Sequence, residues 1–298
     1  MLSHWRPWRE QGWTEIDAAG YAEAWHRLGG SVATHPSVVE RLSQLARIPV
    51  RYLGWFETGE LKAALPTWGR HLALSKDVLK AQGKRGLFDL GNAEIILPIA
   101  GDVQVSLRHR GRYLSGLHAG QIGQLRVQPE GLALARAPED YSRKFRYNQR
   151  REQRLLEEAG GRLQPMGELS AHEQARIYTD LFQRRWGFEV PGRGCLEQVF
   201  ELLREFMAGS LIYLNDEPVA IQILYRVEAP RWVSVEYING GVDPQTRAFS
   251  PGSVLSFVNT QQEWERARAV GKDLRYSFGR ADREYKDRWC HRQPAYRV

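Results

Sequence analysis

The chain has 298 residues, 42% of them hydrophobic and 26% charged, with a formal charge of +7. These are the proportions of a globular chain able to bury a core, in one large domain or two. They leave room for an anionic cofactor, RNA or an acidic membrane surface as partner, while the two cysteines exclude a disulfide framework.

Reduced Cys195 and Cys290 suit a cytoplasmic protein. The start, Met1 to Glu10, has no apolar h-region. No run approaches the roughly 18 apolar residues of a membrane span.

In chain order, Ala18 to Leu28 is expected as a helix stopped by Gly29-Gly30, and Pro36 to about Ala46 as a second. Val50 to Phe56 and Leu61 to Trp68 read as strands around the turn Glu57-Thr58-Gly59-Glu60. Glu94 to Pro98, Val103 to Leu107 and Gln124 to Val127 are further strand-like pieces. Helices follow over Tyr141 to Ala159, from the capping box Ser170/Glu173 to Trp186, and over Leu196 to Met207. The next block reads as three strands, Leu211 to Leu214, Val219 to Val227 and Arg231 to Ile238. A loop from Asn239 to Ser250 then opens a helix, Ser253 to Val270, before a last strand, Asp273 to Phe278. The hairpins around Arg51 to Leu65 and Ile212 to Ile221 echo each other, either as two copies of one unit or by chance.

Chemistry concentrates between Arg231 and Trp289. Ser250-Pro251-Gly252-Ser253 opens a helix whose first N–H groups are unpaired and carry partial positive charge. Arg247 lies just upstream. Strand, loop, helix start and arginine form a recipe for holding a pyrophosphate, although a plain capped helix has the same pattern. Tyr285 and Lys286 offer a phenol and an ammonium group, open to acid–base work or to a solvated turn.

The strand meander, Ser250-Pro251-Gly252, Tyr276-Ser277-Phe278-Gly279 and Tyr285-Lys286 … Trp289 resemble in order and spacing the end of FemAB-like and cellulose-biosynthesis-type N-acetyltransferases. Ser277 stands where that group usually has Asp. Arg143-Lys144-Phe145-Arg146 … Arg150-Arg151 … Arg154 is similar to the basic helix opening the second half of such proteins. Leu28-Gly29-Gly30-Ser31-Val32 and His35-Pro36 resemble a narrower group, the macrophage-inducible antimicrobial-peptide-resistance proteins of Gram-negative bacteria.

The resemblance implies an α/β (α+β) tandem N-acetyltransferase-like fold, with mixed sheets flanked by helices. Its halves would be residues 1–138, degenerate, and 139–298. It also implies a cytoplasmic protein, peripheral on the inner membrane, that supports resistance to cationic peptides. As an acyltransferase it would use acetyl-CoA or another acyl-CoA and an acceptor in the cell envelope. Glu236 is then the candidate base and Tyr285 the candidate acid. Arg247, Ser250, Gly252, Ser253 and Lys286 would hold the cofactor's phosphates. An aminoacyl-tRNA donor, as in FemAB peptidyltransferases, is the second hypothesis. A non-catalytic scaffold or sensor at anionic inner-membrane lipids is the third, kept open by Ser277.

Arg143, Arg146, Arg150 and Arg154 share a helix face suited to phosphates of RNA or lipid headgroups, or simply to solvent. The scattered histidines and the pair Cys290-His291 do not have zinc spacing, so no metal is expected. Trp5, Trp8, Trp13 and Trp25 read either as an interfacial belt or as packing residues.

Overall fold

A computed structural model describes residues 8–298. Trp5 lies outside them. The chain runs β1 (Trp13–Ile16), α1 (Ala18–Leu28), α2 (Pro36–Ala46), β2 (Arg51–Glu57), β3 (Glu60–Trp68), β4 (His71–Leu72) and α3 (Lys76–Ala81). After a long irregular stretch come β5 (Arg126–Val127), β6 (Leu132–Ala135), α4 (Arg143–Glu158), β7 (Gly161–Pro165), α5 (Ala171–Trp186) and α6 (Leu196–Leu202). The remaining elements are β8 (Met207–Ala208), β9 (Ser210–Leu214), β10 (Glu217–Glu228), β11 (Trp232–Val242), α7 (Pro251–Ala269), β12 (Asp273–Arg280), β13 (Cys290–Gln293) and β14 (Tyr296–Arg297).

Local chemistry sets the helix ends. The Asp17 side chain accepts from the Gly20 N–H and starts α1. Ser170 and Glu173 form the expected reciprocal cap of α5, and Gly187 closes it in the left-handed region. β1 to β4 form a small sheet in sequence order. The larger sheet runs β13-β6-β12-β11-β10-β9-β7, with β8 beside β10. α5 covers one face through Tyr178, Leu181 and Phe182, packed with Ile221, Ile223 and Tyr225. α7 covers the other through Val254, Leu255, Phe257 and Val258.

One core unites the halves, since Trp25, Val39 and Leu42 share a cluster with Phe182, Phe200 and Trp232. The Trp232 Nε1–H donates to Gly30 O across the join at 2.8 Å. β6 lies before residue 138 yet pairs with β12 and β13, so the larger sheet recruits a strand from the first half.

Several elements depart from the sequence reading. Asn239 to Ser250 is not a plain loop. β11 stays paired with β10 to Val242, and Pro244–Phe249 forms a 3-10 turn. Gly241 in this strand serves packing. A Cβ on Gly241 would sit 2.5 Å from Leu181 Cβ, so its absence lets α5 approach the strand. The helix expected to Met207 stops at Leu202, followed by a 3-10 turn and β8. Glu94 to Pro98 and Val103 to Leu107 are extended but joined only by isolated bridges, Ile95 to Leu114 and Val105 to Ile122. Trp13 and Trp25 are fully buried, which removes them from any interfacial belt, whereas Trp8 is exposed under the Arg108 guanidinium.

Candidate active site

β11 and β12 are parallel neighbours only from Trp232/Asp273 to Glu236/Ser277. Beyond that pair β11 continues along β10, with Ile238 as the extra residue of a bulge. β12 instead continues along β6. A bulge bends its strand and strengthens the local twist. The two strand ends therefore diverge, and α7 begins just past the end of β11.

Residues Gly91–Glu94 of the first half bridge the diverging ends. Gly91 has φ +62°, and a Cβ there would lie 3.5 Å from Ile238 Cα. A Cβ on Gly279 would lie 3.6 Å from Asn92 O. The Glu94 N–H donates to Glu236 Oε1 at 2.9 Å.

Glu236 is 1% exposed. Burial first, and the Glu94 charge second, push its carboxyl well above the usual range, against bonds from Ser277 and the Glu94 N–H and the charge of Arg275. It is closed to solvent. The geometry thus corrects its expected role: Glu236 is a joint between the halves, not a base open to an amine. Its cross-strand neighbour Ser277 accepts from the Gly279 N–H at 3.0 Å. The fully buried Glu94 ion-pairs with Arg275, whose Nε donates to Oε2 at 3.0 Å, and Arg275 also reaches Ser115 Oγ at 3.3 Å.

At the start of α7, Ser250 adopts a left-handed conformation with φ 48° and makes no side-chain cap. Its carbonyl accepts from the Ser253 and Val254 N–H groups. Gly252 packs against Val242, where a Cβ would be 3.0 Å from Cγ2. Arg247 is exposed on the preceding turn. The structure therefore gathers Arg247, Ser250, Gly252 and Ser253 at the end of β11.

Lys286 belongs to the β12 side. It is 9% exposed, and its Nζ donates to Phe278 O at 2.8 Å and Arg280 O at 2.7 Å. Burial lowers its pKa. Its ammonium thus holds the end of β12 in shape, which corrects the expectation of a phosphate ligand. Tyr285 is 53% exposed, yet partial burial and then Tyr237 push its phenol up to about 12, against the Arg185 charge. It keeps its proton at neutral pH and can only give one.

Glu94, Ser115 and Gly91 were not legible as site residues, because long-range contacts bring them in. Arg275 carried a signal: it lies two residues before Ser277 and so on the same face of β12. Among the described residues no group of three or more potential metal ligands occurs, and no helix is long and apolar enough to cross a membrane.

The Mig-14 family profile matches residues 35–298. The chain belongs to the Mig-14 family. No curated protein matches it. FemX is similar to this Mig-14 family chain over 96% of each, at 12% identity and a TM-score of 0.54. L-PGS from Bacillus licheniformis is similar over 95% of this chain and 91% of its own, at 12% identity and a TM-score of 0.49. A tandem GNAT protein from the clavulanic acid biosynthesis pathway covers 96% of this chain and 97% of its own, at 10% identity and a TM-score of 0.46. The likeness to FemX, with helices flanking mixed sheets, gives the Mig-14 chain a FemAB-like GNAT fold.

Proposed function

We propose that this Mig-14 family chain is a transferase that moves an activated acyl group onto an amine. The divergence of β11 and β12 beyond Glu236/Ser277 carries the proposal, because it leaves the β12-facing edge of β11 without its β12 partner beside the start of α7. A backbone N–H at such an edge can polarise an acyl carbonyl. Negative charge on the leaving group would be met by Arg247 and the α7 N-terminus. Tyr285 is the candidate proton donor. With Glu236 buried and held by the Glu94 N–H, the amine proton goes to solvent.

An aminoacyl-tRNA donor is favoured by two features. Gly91–Glu94 take up space between the strand ends that the arm of an acyl-CoA would need. The α4 helix packs beside α7 and exposes Arg143, Lys144, Arg150, Arg151 and Arg154, a basic face for a polyanion. Acyl-CoA is the second reading, favoured by the grouping of Arg247, Ser250, Gly252 and Ser253 at one helix start. In either case the acceptor belongs to the cell envelope, with peripheral contact to anionic inner-membrane lipids and support of cationic-peptide resistance.

The test is binding of charged tRNA and of acetyl-CoA over a salt series. Tight, steeply salt-dependent tRNA binding that is lost in Arg143→Gln/Arg150→Gln/Arg154→Gln is expected. Acetyl-CoA binding with no tRNA binding at low salt would move the donor to CoA. Silence from both donors, at millimolar acetyl-CoA, would leave the scaffold or sensor.

A further inference from the structure

Bordering Gly91–Ala93 lies a cavity of about 570 Å³. That is the size of a small-molecule site. An extended segment around Arg110 and Arg112 builds one wall. It is pinned to β4 by Leu72 N–H to Arg110 O at 2.9 Å, and to the last residues by Val298 N–H to Gly111 O at 3.1 Å. Arg110 and Arg112 both line the cavity from this segment. Arg297 enters from β14, Arg280 from the end of β12 and Lys76 from α3.

Five cationic side chains thus line the cavity, against the single acidic side chain Asp77. His71 adds no charge at neutral pH, because burial and the nearby Arg110 lower its pKa. Lys76 is matched by Asp89 and Arg280 by Asp282. Arg110, Arg112 and Arg297 have no carboxylate partner among the described residues. The buried Leu72, Leu74, Phe88 and Leu90 add apolar surface to the lining. Guanidinium groups around one hollow repel each other until an anion joins them, and their planar forks match phosphate oxygens.

We propose that this cavity binds a phosphorylated small molecule with an apolar portion. The phosphate lies on Arg110, Arg112 and Arg297, and the apolar portion lies against Leu74 and Phe88. The site stands whether or not the chain transfers acyl groups. The phosphate has two sources, a soluble phosphate monoester or a phospholipid headgroup.

Calorimetric titration of the full chain with hexyl phosphate, inorganic phosphate, hexanol and monomeric dihexanoylphosphatidylglycerol tests the proposal. Hexyl phosphate should bind more tightly than inorganic phosphate, and hexanol should give no heat. Arg110→Gln/Arg112→Gln should weaken hexyl phosphate roughly tenfold or more, the scale of hydrogen bonds to a charged group. Arg143→Gln/Arg150→Gln on α4 should leave it unchanged. Arg297→Gln, at an exposed position, repeats the test where the double variant melts early. Tighter binding of the short lipid than of hexyl phosphate assigns the site to a headgroup, and the reverse order to a soluble ester. No heat from either ligand at millimolar concentration overturns the proposal, as does equal weakening by the α4 variant.

Discussion

Replacing Arg275 by alanine should be among the most damaging single changes near the joint between the halves. Glu94, its ion-pair partner, has a side chain 1% exposed, while that of Arg275 is 20% exposed. Glu94 also lies close enough to Glu236 to push that carboxyl's pKa upward. Without the guanidinium, a buried carboxylate faces a second carboxyl with no cation beside it. Breaking a buried pair from one side costs about 3–5 kcal/mol. Glu94→Gln should cost less, since the Arg275 left behind still reaches water. Urea unfolding of both variants at pH 7.5, with hydrogen exchange at the Glu94 to Leu97 amides as a local report, measures both effects. A loss below about 1 kcal/mol for the alanine variant, or a larger loss for Glu94→Gln, would refute the reasoning.

Other outcomes follow from neighbouring groups. His118 is buried and held near 4 by that burial, so between that value and 6.5 the unfolded chain binds more protons. Its stabilising effect is full above pH 6.5 and drains as pH falls, about 2 kcal/mol by pH 5, and a His118→Gln variant should show a flatter stability–pH profile. Ser277→Asp can keep the bond from the Gly279 N–H but adds a buried carboxyl beside Glu236. It should cost about 2 kcal/mol or more at pH 7.5 and recover on acidification, and an unchanged melting temperature at pH 7.5 would contradict this. Gly241→Val would drive α5 off β11, and a loss of several kcal/mol in urea unfolding is expected. If Tyr285 gives the proton, Tyr285→Phe should slow transfer about 100-fold or more with donor binding intact, as read by single-turnover kinetics.

Much of the fold was legible where local chemistry and tertiary packing agree. Pro36 and the Ser170/Glu173 box mark helix starts that the structure keeps. The hairpin of β2 and β3 and the meander of β9 to β11 follow from alternation and turn residues. The stretch from Glu94 to Leu125 was not legible, because its alternating apolar residues face a core without a ladder partner in register. β6, only four residues long, has its pairing decided by strands far along the chain. In the site, the helix start at Ser250 to Ser253 could be read from its residues. The engagement of Glu236 and Lys286 could not, since their partners are backbone groups supplied by the fold.

The position of β6 also fixes an order of events at the ribosome. This strand emerges early but is flanked in the sheet by β12 and β13, which are translated after α4 to α7. At 5–20 residues per second the wait is roughly 7–30 s. Over that interval the nascent chain carries both edges of β6 without their partners, although every strand of the small sheet has been made. A holdase that captures short apolar strands would find its target there, and slowing translation between α4 and β12 would lengthen that window.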